Sequence, residues 1–401
     1  MAIVLRNARV FDGGVRGMLS GATIVIDGER ILSVGPGAGP PAGRDGDVVY
    51  DLAGKTVLPG LFNCHAHLGW DGYGDLEEQS VSAAREPVQA GIRVGRNMRG
   101  CLEAGVTTIR DLGVHHTALA AKALLRTGRF AGPRVYAAGA AIACTGGHTW
   151  WCLRQADGPD EVRRAVREQV KAGADWIKVM ATGHHEQEYS DAELRAAADE
   201  AHMHGVRITA HATFSKGAKA CVLAGYDGIE HGGDYSPDVE ELIISRGLWI
   251  TPTFSPLIMQ ARHGHKWGMR LDDVERRRKT LENPVRLHGV ARLGKAGAKL
   301  AFGTDSGSPV VPHSDVVSEM EALIEFGVFQ TAAEVLTVAT RRSAEMMGLA
   351  DRLGTIEPGK LADLVIVNGN PFDTLQDMRR VDKVFHGGRL LVDGGTVVRG
   401  L

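Results

Sequence analysis

His65 and His67 stand two residues apart at the end of an apolar run, Thr56-Val57-Leu58-Pro59-Gly60-Leu61-Phe62, that reads as a short buried strand. Alternate residues of a strand share a face. The spacing therefore aims both imidazoles at one point just past the strand's carboxyl end, an arrangement that suits a divalent metal. Four more residues with the right chemistry come from later β-prone runs. Lys178 lies within 174–180, His211 closes 206–211, His231 closes 228–231 and Asp305 closes 299–305. A lone histidine at a strand end is ordinarily a hydrogen-bonded core residue, and an Asp after Gly-Thr is often a turn or a helix cap. Their joint placement is what points to a metal site.

Lys178 is the odd member. An ammonium inside an apolar strand beside metal cations is disfavoured by desolvation and by like charge. Three states answer that conflict. The amine can lose its proton, it can snorkel to the rim, or CO2 can carboxylate it to an anionic carbamate whose two oxygens bridge two metals.

A scaffold must bring these residues to one rim. Eight short apolar runs alternate with helix-period segments: 59–66, 105–111, 133–139, 174–180, 206–211, 228–231, 248–253 and 299–305. The segment 160–172 carries apolar residues at helical spacing, and Ser190 with Glu193 is a capping box opening a helix over 190–204. Eight strand–helix units over roughly 290 residues suit a (β/α)8 barrel of the TIM type, which places its chemistry where the strands end. The two ends of the chain read as β structure, with strands at 2–5, 22–26 and 30–35 and again at 362–367, 381–385 and 388–394. Neither end alone makes a sufficient core. The expectation is an α/β protein with a barrel over 58–350 and a small β-sandwich built from both termini, 1–57 and 351–401.

Composition narrows the function class. The formal charge of −2 argues against nucleic-acid binding through a general positive field. The basic run Arg276-Arg277-Arg278-Lys279 reads as a solvated helix face. Five scattered cysteines without CxxC spacing suggest neither a disulfide framework nor a zinc ribbon. No stretch is long and apolar enough for a membrane span, and the first residues are too short a run for a signal peptide, so a cytoplasmic protein is expected.

Taken together, Pro59–His67, Gly105–Asp111, Thr145-Gly146-Gly147-His148, Asp175–Lys178, Thr209–Ala212, Ile229–Gly232, Gly303–Asp305 and Gly354–Leu364 resemble the amidohydrolase superfamily, in its imidazolonepropionase-like and prolidase-like (Xaa-Pro dipeptidase-related) branch. The resemblance covers almost the whole chain. It implies two divalent metal ions. His65, His67 and Asp305 would bind the first, His211 and His231 the second, and carboxylated Lys178 would bridge them. A hydroxide between the metals would attack the amide carbonyl, with Asp305 carrying the proton to the leaving amine. His148 would orient substrate or donate to the oxyanion, and Tyr189 matches a substrate-contacting position. Imidazole and carboxylate donors suit zinc, with iron, manganese and cobalt also compatible. Self-association is common in such a family, so a homo-oligomer is expected.

The chain departs from its relatives after Lys178. Ala181–Glu188 carries His184, His185, Glu186 and Glu188 where relatives have a Gly-rich stretch. Trp150 and Trp151 follow His148, and Trp70 follows the His-x-His pair, which suggests an aromatic-lined pocket for a bulky or flat substrate. Structural aromatics under loops are the alternative. His263 and His265 lack an apolar lead-in, His202 and His204 do not share a helix face, and His115 and His116 are loop neighbours. All six are left outside the site. The expected activity is hydrolysis of a small-molecule amide: a dipeptide, an N-acyl amino acid or an aryl amide. A cyclic-amide or lactone hydrolase, a deaminase of the same superfamily and an inactive relative are the competing readings.

Overall fold

The computed structural model describes residues 2–38, 46–73 and 87–398. In chain order, the first strands are β1 (Ala2–Phe11), β2 (Met18–Asp27), β3 (Arg30–Gly35), β4 (Val48–Asp51) and β5 (Lys55–Pro59). A parallel series follows: β6 (Leu61–Ala66), β7 (Val106–Asp111), β8 (Arg134–Ala137), β9 (Ile142–Ala143), β10 (Arg154–Gln155), β11 (Trp176–Met180), β12 (Arg207–His211), β13 (Gly228–His231), β14 (Trp249–Pro252) and β15 (Lys299–Leu300). The chain closes with β16 (Leu364–Asn368), β17 (Val381–His386), β18 (Arg389–Asp393) and β19 (Thr396–Val397).

The two ends of the chain form one nine-stranded sheet, ordered β19-β18-β17-β16-β5-β1-β2-β3 with β4 on β1. The sequence suggested that both ends pack together, and β5 pairs with β1 on one side and with β16 on the other, so that both ends share hydrogen-bonded strands. Leu5, Val10, Ile24, Ile26, Val57, Ile356, Leu364, Ile366 and Phe385 share the core beneath it. Ile24, Val25 and Ile26 are buried in succession towards the end of β2, while β3 buries only Ile31.

The run read as one strand over 56–62 is two. Pro59 ends β5, and β6 opens at Leu61 in the parallel series. Gly60 is the hinge, because a Cβ there would lie 2.1 Å from Thr107 Oγ1. Apolar residues on both sides hide this switch from a hydropathy pattern.

The parallel strands form a three-stranded sheet, β6-β7-β8, and a seven-stranded one, β10-β9-β11-β12-β13-β14-β15. Backbone bonds run between them at both ends. Phe302 O accepts from Cys64 N, His65 O from Asp305 N, and Ser306 O from His67 N, each at 2.8 Å. On the other side Ala137 O accepts from Asp175 N at 2.8 Å. β6, β7, β11 and β13 are buried along their whole length, as strands covered on both faces must be. Helices cover them, among them Pro159–Ala172, with Val162, Ala165 and Val166 inward, and Asp191–Met203, opened by the Ser190–Glu193 capping box. No described helix is long and apolar enough to cross a membrane. All five cysteines are free thiols.

Candidate metal centre

The strand ends bring the predicted residues together. His65 and His67 stand at the end of β6, Lys178 in the middle of β11, His211 and His231 at the last positions of β12 and β13, and Asp305 beyond β15. The His65 and His231 rings are 4.7 Å apart, His211 and His231 4.5 Å, and His65 and His67 5.3 Å. Asp305 Oδ1 lies 3.1 Å from His67 Nε2 and 3.6 Å from His65 Nε2. Donor atoms of His65, His231 and Asp305 all fall within 4.8 Å of one another. Gly303 permits this crowding, since a Cβ there would meet His65 Cβ at 2.8 Å and Thr251 Cγ2 at 2.5 Å. His231 and Asp305 hold positive φ of 71° and 56°. Left-handed backbone at non-glycine residues costs of order 1–3 kcal/mol and collects where function demands a side-chain direction.

The electrostatics favour metal-ready donors. Burial lowers His65 to about 4 and drives His211 and His231 well below the usual imidazole range, so all three rings are neutral at pH 7 with a lone pair free to bind. Burial acts the same way on His67, but the hydrogen bond and charge of Asp305 outweigh it and raise that ring. Lys178 is 1% exposed, and its Nζ has no hydrogen-bond partner. Burial brings it down to about 8, against the pull of the Glu230 and Asp305 carboxylates. A buried amine left unpartnered beside the His65, His211 and His231 rings and the Glu230 and Asp305 carboxylates is an incomplete arrangement. A pair of divalent ions, with the amine converted to an anion, fits this donor set.

A second layer fixes the first. Glu230, next to His231 on β13, accepts from His65 Nδ1 at 2.7 Å, from Arg110 at 2.7 Å and from Thr209 Oγ1 at 2.6 Å. Burial alone would raise its carboxyl, but Arg110 and the His65 bond hold it well below the usual range. Arg110 also donates to Cys64 O and stacks over Trp176. His67 Nδ1 bonds to Gly113 O at 2.8 Å and His231 Nδ1 to Thr253 Oγ1 at 2.6 Å. Each second bond sets which nitrogen faces the centre. Glu230 and Arg110 were not singled out from the sequence, although each is a charged residue inside an apolar strand, the same signal that marked Lys178. Glu230→Gln is expected to weaken metal affinity about 10- to 100-fold. It also leaves Arg110 buried without its counter-charge, so a lower melting temperature should accompany the loss. Metal titration and thermal melting of the variant check both.

The residues expected on the substrate side divide. The His148 ring stands 4.4 Å from His211, and burial lowers its pKa. Glu188 braces this edge by accepting from the backbone N–H of His148 and of His184, while His184 and His185 themselves are exposed. Trp151 lies 6.1 Å from Trp70, which lies 4.7 Å from His67, so an aromatic file leads to the centre. Trp150 is 45% exposed and is no part of that file. Tyr189 requires a correction. It is buried in the main core with its hydroxyl donated to Ala156 O at 2.9 Å, because its ring completes the packing there. Substrate contact by Tyr189 is therefore dropped.

Known proteins resemble this chain over most of its length. The model of the amidohydrolase family matches residues 56–391. Ochratoxinase of Aspergillus niger is 28% identical over 419 aligned positions, covering 94% of this chain and 84% of that protein. A solved Xaa-Pro dipeptidase with methionine in its active site superposes with a TM-score of 0.85 at 28% identity, over 97% of this chain and 99% of that one. A solved prolidase in complex with N-methylphosphonate-L-proline gives 0.86 at 29% identity, over 98% and 100%.

Proposed function

This chain belongs to the amidohydrolase family, a hydrolase acting on C–N bonds, and we propose that it hydrolyses a small-molecule amide at a two-metal centre. The amide would be a dipeptide, an N-acyl amino acid or an aryl amide. The observation that carries the reading is the orphaned Lys178 amine, buried in the middle of β11 among His65, His211, His231 and Asp305. Its conversion to a bridging carbamate would supply the anion that the site otherwise lacks. His65, His67 and Asp305 would hold one ion and His211 and His231 the other, with Lys178 shared; imidazole and carboxylate donors suit zinc. We further infer that the two parallel sheets are arcs of one (β/α)8 barrel, with the terminal sheet a separate small domain and Gly60 at the boundary. Backbone bonds at both seams and the superposed relatives support that inference.

Two divalent ions held by these residues would supply an acidified water and a Lewis acid for the scissile carbonyl. The chain's own residues do the rest. Asp305, whose carboxyl is kept ionised by His65 and His67 despite burial, takes a proton from the attacking water and passes it to the departing nitrogen. Neutral His148 has one ring N–H to donate to the oxygen that gains charge. Trp70 and Trp151 exclude water along one wall. His148→Ala is expected to lower kcat roughly 100-fold, the usual cost of one oxyanion donor, with metal content unchanged.

Elemental analysis of the purified protein tests the centre. Two equivalents of divalent ion per chain are expected, falling to one or fewer in His231→Ala. Amide turnover by a chain that holds no ion would refute the reading.

A further inference from the structure

His211 and His231 stand at the last positions of their parallel strands, and Arg134 at the first position of β8. At that opposite end a cavity of about 650 Å³ opens where the helix Thr117–Leu125, the start of β8 and the β17–β18 turn meet. Its volume falls in the range of small-molecule sites, roughly 300–1,000 Å³. Arg126 and Arg129 reach it from the connection between the helix and β8, and Arg389 from the first position of β18. Leu125, Phe130, Leu361 and Leu391 give the same cavity an apolar wall, on which the Phe130 ring is 43% exposed.

The charges around this cavity do not balance. Lys122 and Arg134 also line it, but both are spent inside the protein: Lys122 Nζ bonds both oxygens of Asp175 at 2.7 Å, and Arg134 donates to Asp363 Oδ2 at 2.7 Å. Arg126, Arg129 and Arg389 make no side-chain hydrogen bond or ion pair among the described residues. Glu29 is the one acid among the lining residues, against those three guanidiniums. His386, in the same wall, keeps a buried Nε2 with no hydrogen bond. The nearest carboxylate, Asp363, is 3.8 Å from it and already accepts from Arg134 and from Gly387 N. Arginines scattered over a convex surface need no partner. Gathered around a concave, partly apolar wall, they focus a positive field and concentrate anions there. A single carboxylate occupies one guanidinium fork, whereas a phosphate offers three oxygens and up to two charges, enough for several.

We propose that this cavity binds a phosphorylated small molecule, with its phosphate groups among Arg126, Arg129 and Arg389 and its uncharged body on the apolar wall. The site is distinct from the metal centre and does not rest on the amide-hydrolase reading. It spans the start of β8 and the terminal sheet, so an occupant ties the two together and stabilises the folded chain.

The full-length protein, at physiological salt, is titrated calorimetrically with ADP, AMP, adenosine and pyrophosphate. ADP should bind at least about 10-fold more tightly than adenosine, the effect of charge-assisted bonds, and more tightly than pyrophosphate, which has no body to lay on the wall. ADP should also raise the melting temperature. Arg129→Met and Arg389→Met should each weaken ADP about 10- to 100-fold. Arg276→Met, which removes a surface arginine paired with Asp273 outside the cavity, should leave binding intact. His231→Ala should leave it intact as well, because the phosphates do not sit on the metal centre. Melting without ligand shows that each variant is folded. ADP binding that survives both cavity replacements, or that is lost in His231→Ala, overturns the proposal. Equal binding of ADP and adenosine, or binding of no probe, overturns it too. Pyrophosphate binding as tightly as ADP would overturn the part assigned to the apolar wall.

Discussion

Lys178→Met is expected to remove nearly all turnover and, in the metal-free chain, to raise the melting temperature. The two effects have one cause. Nζ is buried without a hydrogen bond, and an unpaired buried polar group costs roughly 1–3 kcal/mol. Methionine fills nearly the same volume without that cost. A lysine that served only to hold the fold would behave oppositely, losing stability on replacement. The gain depends on pH in a definite sense. Burial brings the folded amine down to about 8 from its ordinary 10.5. The unfolded chain therefore binds more protons between those limits, and wild-type stability rises with pH across that window. The advantage of the methionine variant is full below about 8 and shrinks as pH rises towards 10.5. Activity is expected to behave differently, since the proposed carbamate could not form without Lys178. A fall of at least about 1000-fold in kcat/KM is expected, or about 4 kcal/mol of transition-state stabilisation. Differential scanning calorimetry of the chelated proteins and kinetics of the metal-loaded ones measure the two halves independently.

Asp305→Asn is the second large effect, and it separates proton transfer from metal binding. Asparagine keeps the size and one oxygen donor, so the chain should fold and retain at least one ion. The amide cannot accept and release a proton at neutral pH. A loss of roughly 100- to 10,000-fold in kcat is expected, the range for a positioned acid–base group, with metal content by elemental analysis near that of the wild type. The His67 ring, raised by Asp305, should return towards lower pKa in the variant. Near-normal turnover in Asp305→Asn would assign the proton to another residue, with His148 the nearest alternative.

The cluster of candidate ligands was legible because five of its members stand at or just past the end of an apolar β-run and Lys178 lies inside one, a joint placement that packing alone does not supply. The same rule applied to every charged residue inside a strand would have found Arg110 and Glu230. Glu230 passed unremarked beside His231, and Arg110 lies in a strand from which no site residue was taken. Tyr189 went the other way. A position suggested by resemblance proved to be core, and no single sequence distinguishes a phenol that greets substrate from one that meets a carbonyl such as Ala156 O. The β5–β6 break at Gly60 was hidden by unbroken hydropathy, since the close approach of Thr107 leaves no trace in composition.

The most direct test of the central claim is amine release by the zinc-loaded protein across dipeptides, N-acyl amino acids and aryl amides, with a lactone and an aminopurine as controls, before and after chelation. The account predicts cleavage of one amide class that disappears on chelation, returns with zinc and is absent in Lys178→Met. Turnover of the lactone or the aminopurine alone, or amide cleavage that survives both chelation and Lys178→Met, would contradict it.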